Sequence, residues 1–596
     1  MVHGGQQPIT GAHVYLLQAG TLGSAGNGIP ASSANASISL LKSANTGLSD
    51  ALGAYVLTAS DGSFNISGDY VCTPGTQVYL YVQGGNPGAG VNSGVGLMAI
   101  LGNCPSADNF AATVPYIWVN EVSTIAAAYA MAGYATDSTH VSSSGSALAK
   151  TGIQNAFANA ANLASISTGT ALTTNPANTA TVPQATINTL ANILTACVNS
   201  PSATSSICSS LFSNATSGGV APTDTASAAI NIAHNPAANV SNLYSIPTPA
   251  VAFAPALTAV PNDFSVSLNY TLPSLAGADG IAIDASGDAW VANYNTNAVV
   301  KLSPAGSSLA SFTGSNFQPG AIAVDNSGNA WVANANSIAK INPSATSASY
   351  FFSSLNNTDT FFGLAVDGTG NLWSADSFNF TRSTLERVSS SGSFFNSNGY
   401  TLAGLATPTA MAVDGGGNVW AANALGPIVS KLTSAGASAS GANGFSGTGI
   451  FQASSIAVDS LGNAWVANSN NTVTKLSNSG SILSGNSGYT GGGLATPQAI
   501  AIDGSGSAWI ASVSSLTEIS NAGAVLSGAN GLTFPAASNF GALAIDGSGN
   551  VWLANLQGNN GVVELIGAAA PVITPIAAGL PVAPNVSGTS NLGTRP

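Results

Sequence analysis

The sequence predicts a multidomain, mainly β chain: a seven-bladed β-propeller preceded by a small β-sandwich and an α-helical bundle. Three observations carry this reading. A blade-sized motif recurs seven times between residues 264 and 570, the first 112 residues alternate strand-like runs with turns, and the stretch between them is Ala-rich with apolar residues three and four apart. The expected divisions are 1–112, 113–246, a Pro-rich linker at 247–263, the repeats at 264–570 and a C-terminal tail at 571–596.

In the first region, His13 to Leu17, Ala54 to Thr58, Phe64 to Ile66 and Gln77 to Val82 read as strands, because period-two patterning is punctuated by Gly and Asp. In the second, Val122 to Ala135, Ile153 to Leu163, Ile187 to Val198 and Ala226 to Ala233 read as amphipathic helices. Asp224 stands just before the last of them, where its carboxylate can cap free amides. Pro247, Pro249, Pro255 and Pro261 then mark a linker or strap.

The seven copies each begin with apolar-Ala-apolar-Asp and end on a Trp six residues after the Asp. The aspartates are Asp284, Asp325, Asp367, Asp414, Asp459, Asp503 and Asp546; the tryptophans are Trp290, Trp331, Trp373, Trp420, Trp465, Trp509 and Trp552. A Gly follows each Asp by three residues, as a tight turn requiring positive φ demands. Steps of 41 to 47 residues leave room for four short strands per copy. One hairpin cannot hide an indole alone, so the copies gain stability by stacking. The run Phe264 to Tyr270 is a strand candidate able to complete the last copy and close the ring.

This apolar-Ala-apolar-Asp-x-x-Gly-Asn-x-Trp pattern resembles NHL-repeat propellers and propellers of the streptogramin B lyase type, although Asp288 and Ser507 replace the Asn in copies one and six. The string Gln7 to Leu16, followed by Ser60-Asp61-Gly62-Ser63-Phe64, resembles carboxypeptidase-regulatory, prealbumin-like sandwich domains, which implies a spacer or adhesive module. The lyase resemblance implies a propeller-borne His beside Mg²⁺. All four histidines, His3, His13, His140 and His234, precede the repeats, so no residue carries that role over. Imidazole ligands for a zinc-dependent propeller lyase are missing from the repeats for the same reason.

Several rings of equivalent residues are candidate sites. The repeat aspartates could ligate Ca²⁺ or Mg²⁺, but their fixed place before a Gly reads as turn stabilisation; the tryptophans read as core. The second strand ends in Asn293, Asn334, Asp376, Asn423, Asn468, Ser512 and Asn555, a polar ring suited to a hydroxyl-rich ligand, or else to bonding the turn that follows. The third strand carries Lys301, Lys340, Arg387, Lys431 and Lys475, then Glu518 and Glu564, read as a solvated face. Phe351, Phe352, Phe361, Phe362, Phe378, Phe380, Phe394 and Phe395 gather around the third copy, as an apolar contact patch or as core.

Composition narrows the partners. With nine Lys and Arg against 22 Asp and Glu, the chain lacks the basic footprint that nucleic acid or anionic lipid requires. No apolar run reaches the roughly 18 residues of a membrane span. Cys72, Cys104, Cys197 and Cys208 show no zinc spacing; the expectation is disulfides Cys72 to Cys104 and Cys197 to Cys208, with buried free thiols as the alternative. Disulfides place the chain in the periplasm, at the cell surface or outside, although Met1-Val2-His3-Gly4-Gly5 is no export signal.

The functional expectation is a monomeric extracytoplasmic binding or scaffold protein, without cofactor or metal, whose propeller rim takes a protein or glycan. The competing reading is a metal-dependent lyase or hydrolase of the streptogramin B lyase-like type, built on Asp and Asn without His.

Overall fold

Described in the computed structural model are residues 1–246, 251–314, 317–352, 360–378, 382–402, 404–534, 538–557, 561–580 and 595–596. Pro247, Pro249 and Phe380 lie outside them, as does most of the tail, and the Phe378 side chain is likewise not described.

The first region forms one principal antiparallel sheet, in the order Ile38–Ser39, His13–Gln18, Gln77–Gln83, Gly96–Asn103, with Val56–Leu57 also on His13–Gln18. Period two divides its side chains. Tyr15, Leu17, Tyr79, Tyr81, Met98 and Ile100 face one core, while Val14, Leu16, Val78, Leu80, Leu97 and Ala99 face another. The first core is completed by helices and the second by loop residues such as Phe110, Ile117 and Val119. Among the described residues only two-stranded ribbons accompany this sheet here, so helices, not a second sheet, cover its first face. Phe64 to Ile66 is not a strand, whereas Gly96–Asn103, whose small residues weaken the alternation, is one.

The expected helices form as Glu121–Met131, Ala147–Leu163, Gln184–Val198 and Thr225–His234, joined by Ser206–Asn214 and Val240–Tyr244. Glu121–Met131 is buried on every side, which its Ala-rich sequence permits by letting the sheet and three helices approach closely. Asn120 and Ser123 cap it reciprocally, and Asp224 accepts the amides of Ala226 and Ser227 at 2.9 Å, as its position predicts. Both disulfides form, Cys72 to Cys104 and Cys197 to Cys208. No described helix is long and apolar enough to cross a membrane.

Each of the seven repeat copies, here called units one to seven, lies in its own antiparallel sheet. Unit one runs Ala278–Ile283, Ala289–Asn293, Ala298–Leu302, Ser308–Thr313 in spatial order. First strands of successive units lie side by side, and that of unit seven, Phe540–Ile545, lies beside that of unit one. The turn glycines take the positive φ expected, from 75° at Gly417 to 86° at Gly549. All seven indoles are at most 2% exposed.

The seam is shared. Ser267–Tyr270 pairs with Val562–Leu565 as the expected outer strand of unit seven, and Ala180–Thr181 from the helical region adds a further strand outside it. Tyr129 and Tyr134 donate hydroxyls to the carbonyls of Phe264 and Gly547, at 2.6 and 2.5 Å, and Asn155 donates to Ser286 at 2.8 Å. The helical region is therefore packed on units one and seven.

Candidate functional site

Two features centre on the units: a repeated polar cluster at each joint, and a cavity between the first strands. The cluster follows from register. The second-strand Trp stands directly opposite the third-strand residue read from sequence as a solvated cation: Trp290 faces Lys301, Trp331 faces Lys340, Trp373 faces Arg387, Trp420 faces Lys431 and Trp465 faces Lys475.

In unit one, Asp284 Oδ1 accepts the turn amides of Ser286 and Asp288, at 2.9 and 3.1 Å, and Oδ2 accepts the Trp290 indole N–H at 3.0 Å. Lys301 Nζ lies 2.9 Å from Asp284 and 3.0 Å from Asp288, and 5.0 Å from the Trp290 ring centre. Burial acts against the Lys301 charge, but hydrogen bonds and attraction from Asp284 and Asp288 outweigh it and raise its pKa. The same ion pair and ring contact recur in units two to five. Trp373 and Trp420 lack an acceptor for the indole N–H among the described residues.

Each cation also crosses to the next unit. Lys301 donates to the Pro343 carbonyl, Lys340 to Ser390, Arg387 to Ser434, Lys431 to Asn478 and Lys475 to Asn521, at 2.7 to 3.3 Å. The solvated face is thus corrected: Lys431 and Lys475 are 5% exposed, and the third-strand cation joins its own Asp and Trp to the neighbouring turn. The sequence concealed this because Lys on an alternating strand usually faces water; its register opposite Trp was the available signal. Cation–ring contact contributes about 0.5–2 kcal/mol, more as water is excluded.

Units six and seven differ. Glu518 stands opposite Trp509 and Glu564 opposite Trp552. Glu564 accepts from Tyr270 at 2.7 Å and Asn550 at 2.8 Å. Burial, reinforced by Asp546, pushes the Glu564 pKa well up; burial and Asp503 do the same to Glu518. Tyr270, from the seam strand, stacks on Trp552 at 5.7 Å.

The second-strand ring of Asn293, Asn334, Asp376, Asn423, Asn468, Ser512 and Asn555 is at most 6% exposed. Its acceptor oxygens hold the chain entering the unit: Asn334 takes the amide of Gln318, Asn423 that of Ala406, Asn468 that of Phe451 and Asn555 that of Asn539, at 2.6 to 3.0 Å. Asn423 and Asn468 also donate forward, to Ile428 and Thr472 carbonyls. Asn334, Asn423, Asn468 and Asn555 are thus engaged with backbone groups of their own unit. The third-copy phenylalanines are split: Phe361 is buried in the core with Trp331, Phe394 packs partly buried against it and Phe351 lies against that ring, whereas Phe352, Phe362 and Phe395 are exposed.

His13 contacts Asp50 at 3.2 Å and stacks on Tyr55, His140 bonds Asp137 at 2.9 Å, and His234 contacts the Ala132 carbonyl with its pKa lowered by burial.

The cavity, about 610 Å³, is walled by Ala, Ile and Val of the first strands and crossed at one end by the segment 572–580. That segment lies at the turn end of the units: Val572 donates to the Asp546 carbonyl at 3.3 Å and Ala570 to Asp503 at 3.2 Å. The opposite end of the first strands carries Asp279, Phe362, Thr409, Ser454 and Gln498 at the position five residues before the repeat Asp. Thr409 and Ser454 donate to the next unit's Ala453 and Pro497 carbonyls. Asp279 has no hydrogen bond or ion pair among the described residues, and burial alone raises its pKa. Sequence reasoning missed this mouth, because it varies between units where the motif does not. Among the described residues, no group of three His, Cys, Asp or Glu side chains stands close enough to share a metal ion.

No family model matches this chain, and no curated protein matches it. Solved structures similar to it include a streptogramin B lyase, 16% identical over 50% of this chain and 95% of that one, with a TM-score of 0.39. A catalytically inactive virginiamycin B lyase from Staphylococcus aureus with quinupristin is 15% identical, covering 50% and 98%, at 0.41. The extracellular domain of a putative hybrid two component system from B. thetaiotaomicron is 14% identical, covering 49% and 40%, at 0.37. Likenesses this distant carry no argument about ligand or activity.

Proposed function

We propose that this chain is an extracytoplasmic, non-catalytic binding protein. Its residues 264–570 form a seven-bladed propeller that holds a ligand at the open mouth of its central cavity, and residues 1–112 and 113–246 act as a supporting platform on the seam. The observation that carries the proposal is where the ionisable groups go. The repeat aspartates hold their own turns, the five third-strand cations reach the next unit and Glu564 is held by Tyr270 and Asn550, while the cavity is lined by aliphatic side chains with Ser, Thr and Gln among them and by the unpaired Asp279 at its mouth. A lining of aliphatic side chains with a few polar groups gathered at one end suits binding. The disulfides support an oxidising compartment.

Gly320, beside Asp279, has ordinary backbone and room: a side chain there would meet nothing nearer than 3.5 Å at its first carbon. A larger side chain there starts out beside the Asp279 carboxylate, so Gly320→Phe is expected to crowd the mouth. In a small-molecule screen by melting temperature on the full chain, ligands should stabilise the native protein and not Gly320→Phe. A ligand at about 100 times its Kd contributes about 2.7 kcal/mol. Equal stabilisation of both proteins by every hit, or turnover of a hit, contradicts the reading.

A further inference from the structure

We propose that the cavity mouth recognises an organic ammonium group carried on a compact apolar body, with Asp279 as its counter-ion; this rests on the binding reading above. The argument begins with what Asp279 lacks. It sits on the first strand of unit one, lines the cavity, and has neither a cation nor a hydrogen-bond donor among the described residues. The other acidic side chain that lines this cavity is not free in this way: Asp503 accepts the Trp509 indole and the Ala570 amide. Holding a half-buried carboxylate without a partner is costly, and a cationic guest removes that cost.

The neighbours of Asp279 shape the guest. The equivalent positions in the adjoining units two and seven are Gly320 and Gly541: the space beside Gly320 is open, whereas the Leu556 side chain packs against Gly541. Phe362 lines the same cavity, an aromatic side chain of the kind a cation favours. Below them the walls are Ala, Ile and Val, and each innermost strand turns its unpaired edge toward the cavity, so backbone carbonyls supply further acceptors. A volume of about 610 Å³ is that of an organic ligand and not of a bare ion. The chain's formal charge of −13 favours the approach of cations in general.

The test is calorimetric titration of the full chain and two variants, Asp279→Asn and Gly320→Phe, with phenethylammonium, phenethyl alcohol, phenylacetate and Mg²⁺. The proposal expects phenethylammonium to bind at least about tenfold more tightly than the alcohol, phenylacetate not to bind, and Asp279→Asn to lose that preference while melting no lower than the native chain. The ammonium–alcohol comparison in the native protein stands even if a variant fails to fold. Equal binding of ammonium and alcohol, both lost in Gly320→Phe, overturns the ammonium assignment and leaves the cavity reading intact. Binding of neither probe, or binding indifferent to Gly320→Phe, overturns both. Mg²⁺ binding that depends on Asp279 without ammonium binding overturns the assignment in favour of a metal ion.

Discussion

Units one to five and units six and seven share a hairpin but not a joint. In the first five, a Lys or Arg lies over the indole, pairs with the repeat Asp and reaches a carbonyl of the next unit. In the last two, a Glu occupies that position beside another acid, fully buried in unit seven and partly buried in unit six. Those two units are also where other parts of the chain arrive: the seam strand Ser267–Tyr270 on unit seven, segment 569–572 on the turns of units six and seven, and the helical region on units seven and one. The difference teaches that a Lys or Arg ties five of the joints by charge, whereas the two units that receive the seam strand and segment 569–572 carry at that place an acid whose pKa burial raises.

The largest effect should come from the seam. Deleting residues 262 to 272 removes the outer strand of unit seven and the Tyr270 hydroxyl from Glu564, so urea unfolding should lose its single cooperative transition for the repeats. Unchanged cooperative unfolding would sink the shared-seam account. Next, Asp459→Ala in unit five strips the acceptor from the Trp465 indole, from Asn463 and from Lys475, leaving a buried ammonium unpaired; the loss should be about 3–5 kcal/mol. A loss below about 1 kcal/mol would mean that the cluster is decorative.

Smaller, and opposite in sense, is the acid pair. Glu518 and Glu564 have pKa values raised in the folded chain above their ordinary 4.5. Folding therefore takes up protons: their contribution is fully present below that value and falls as pH rises through the window toward the raised folded values. Replacing both with Gln keeps the shape and removes this dependence. The smallest effect should be Phe352→Asp on the exposed patch, within about 0.5 kcal/mol by thermal melting. Phe394→Asp, partly buried against the core between units two and three, should cost several times more.

Much of this was legible from sequence where a residue has one physical solution. Gly after Asp could only supply positive φ, seven indoles could hide only against one another, and Asp224 before an Ala-rich run could only cap. The covering of the first sheet was misread because Glu121–Met131 has no polar face to mark where it packs: Ala fits equally against helix or strand. The third-strand cations were misread because their burial depends on cross-strand register and on the next unit's turn, neither of which composition encodes. The cavity mouth was invisible for the converse reason, since Asp279, Gly320 and Phe362 share a position but no chemistry.

The most direct test of the contrast between joints is the urea stability of the native chain and of the Glu518→Gln, Glu564→Gln pair, measured as pH is raised from 4.5. The account predicts that native stability declines with pH and that the paired variant flattens that decline. Parallel curves for the two proteins would contradict it.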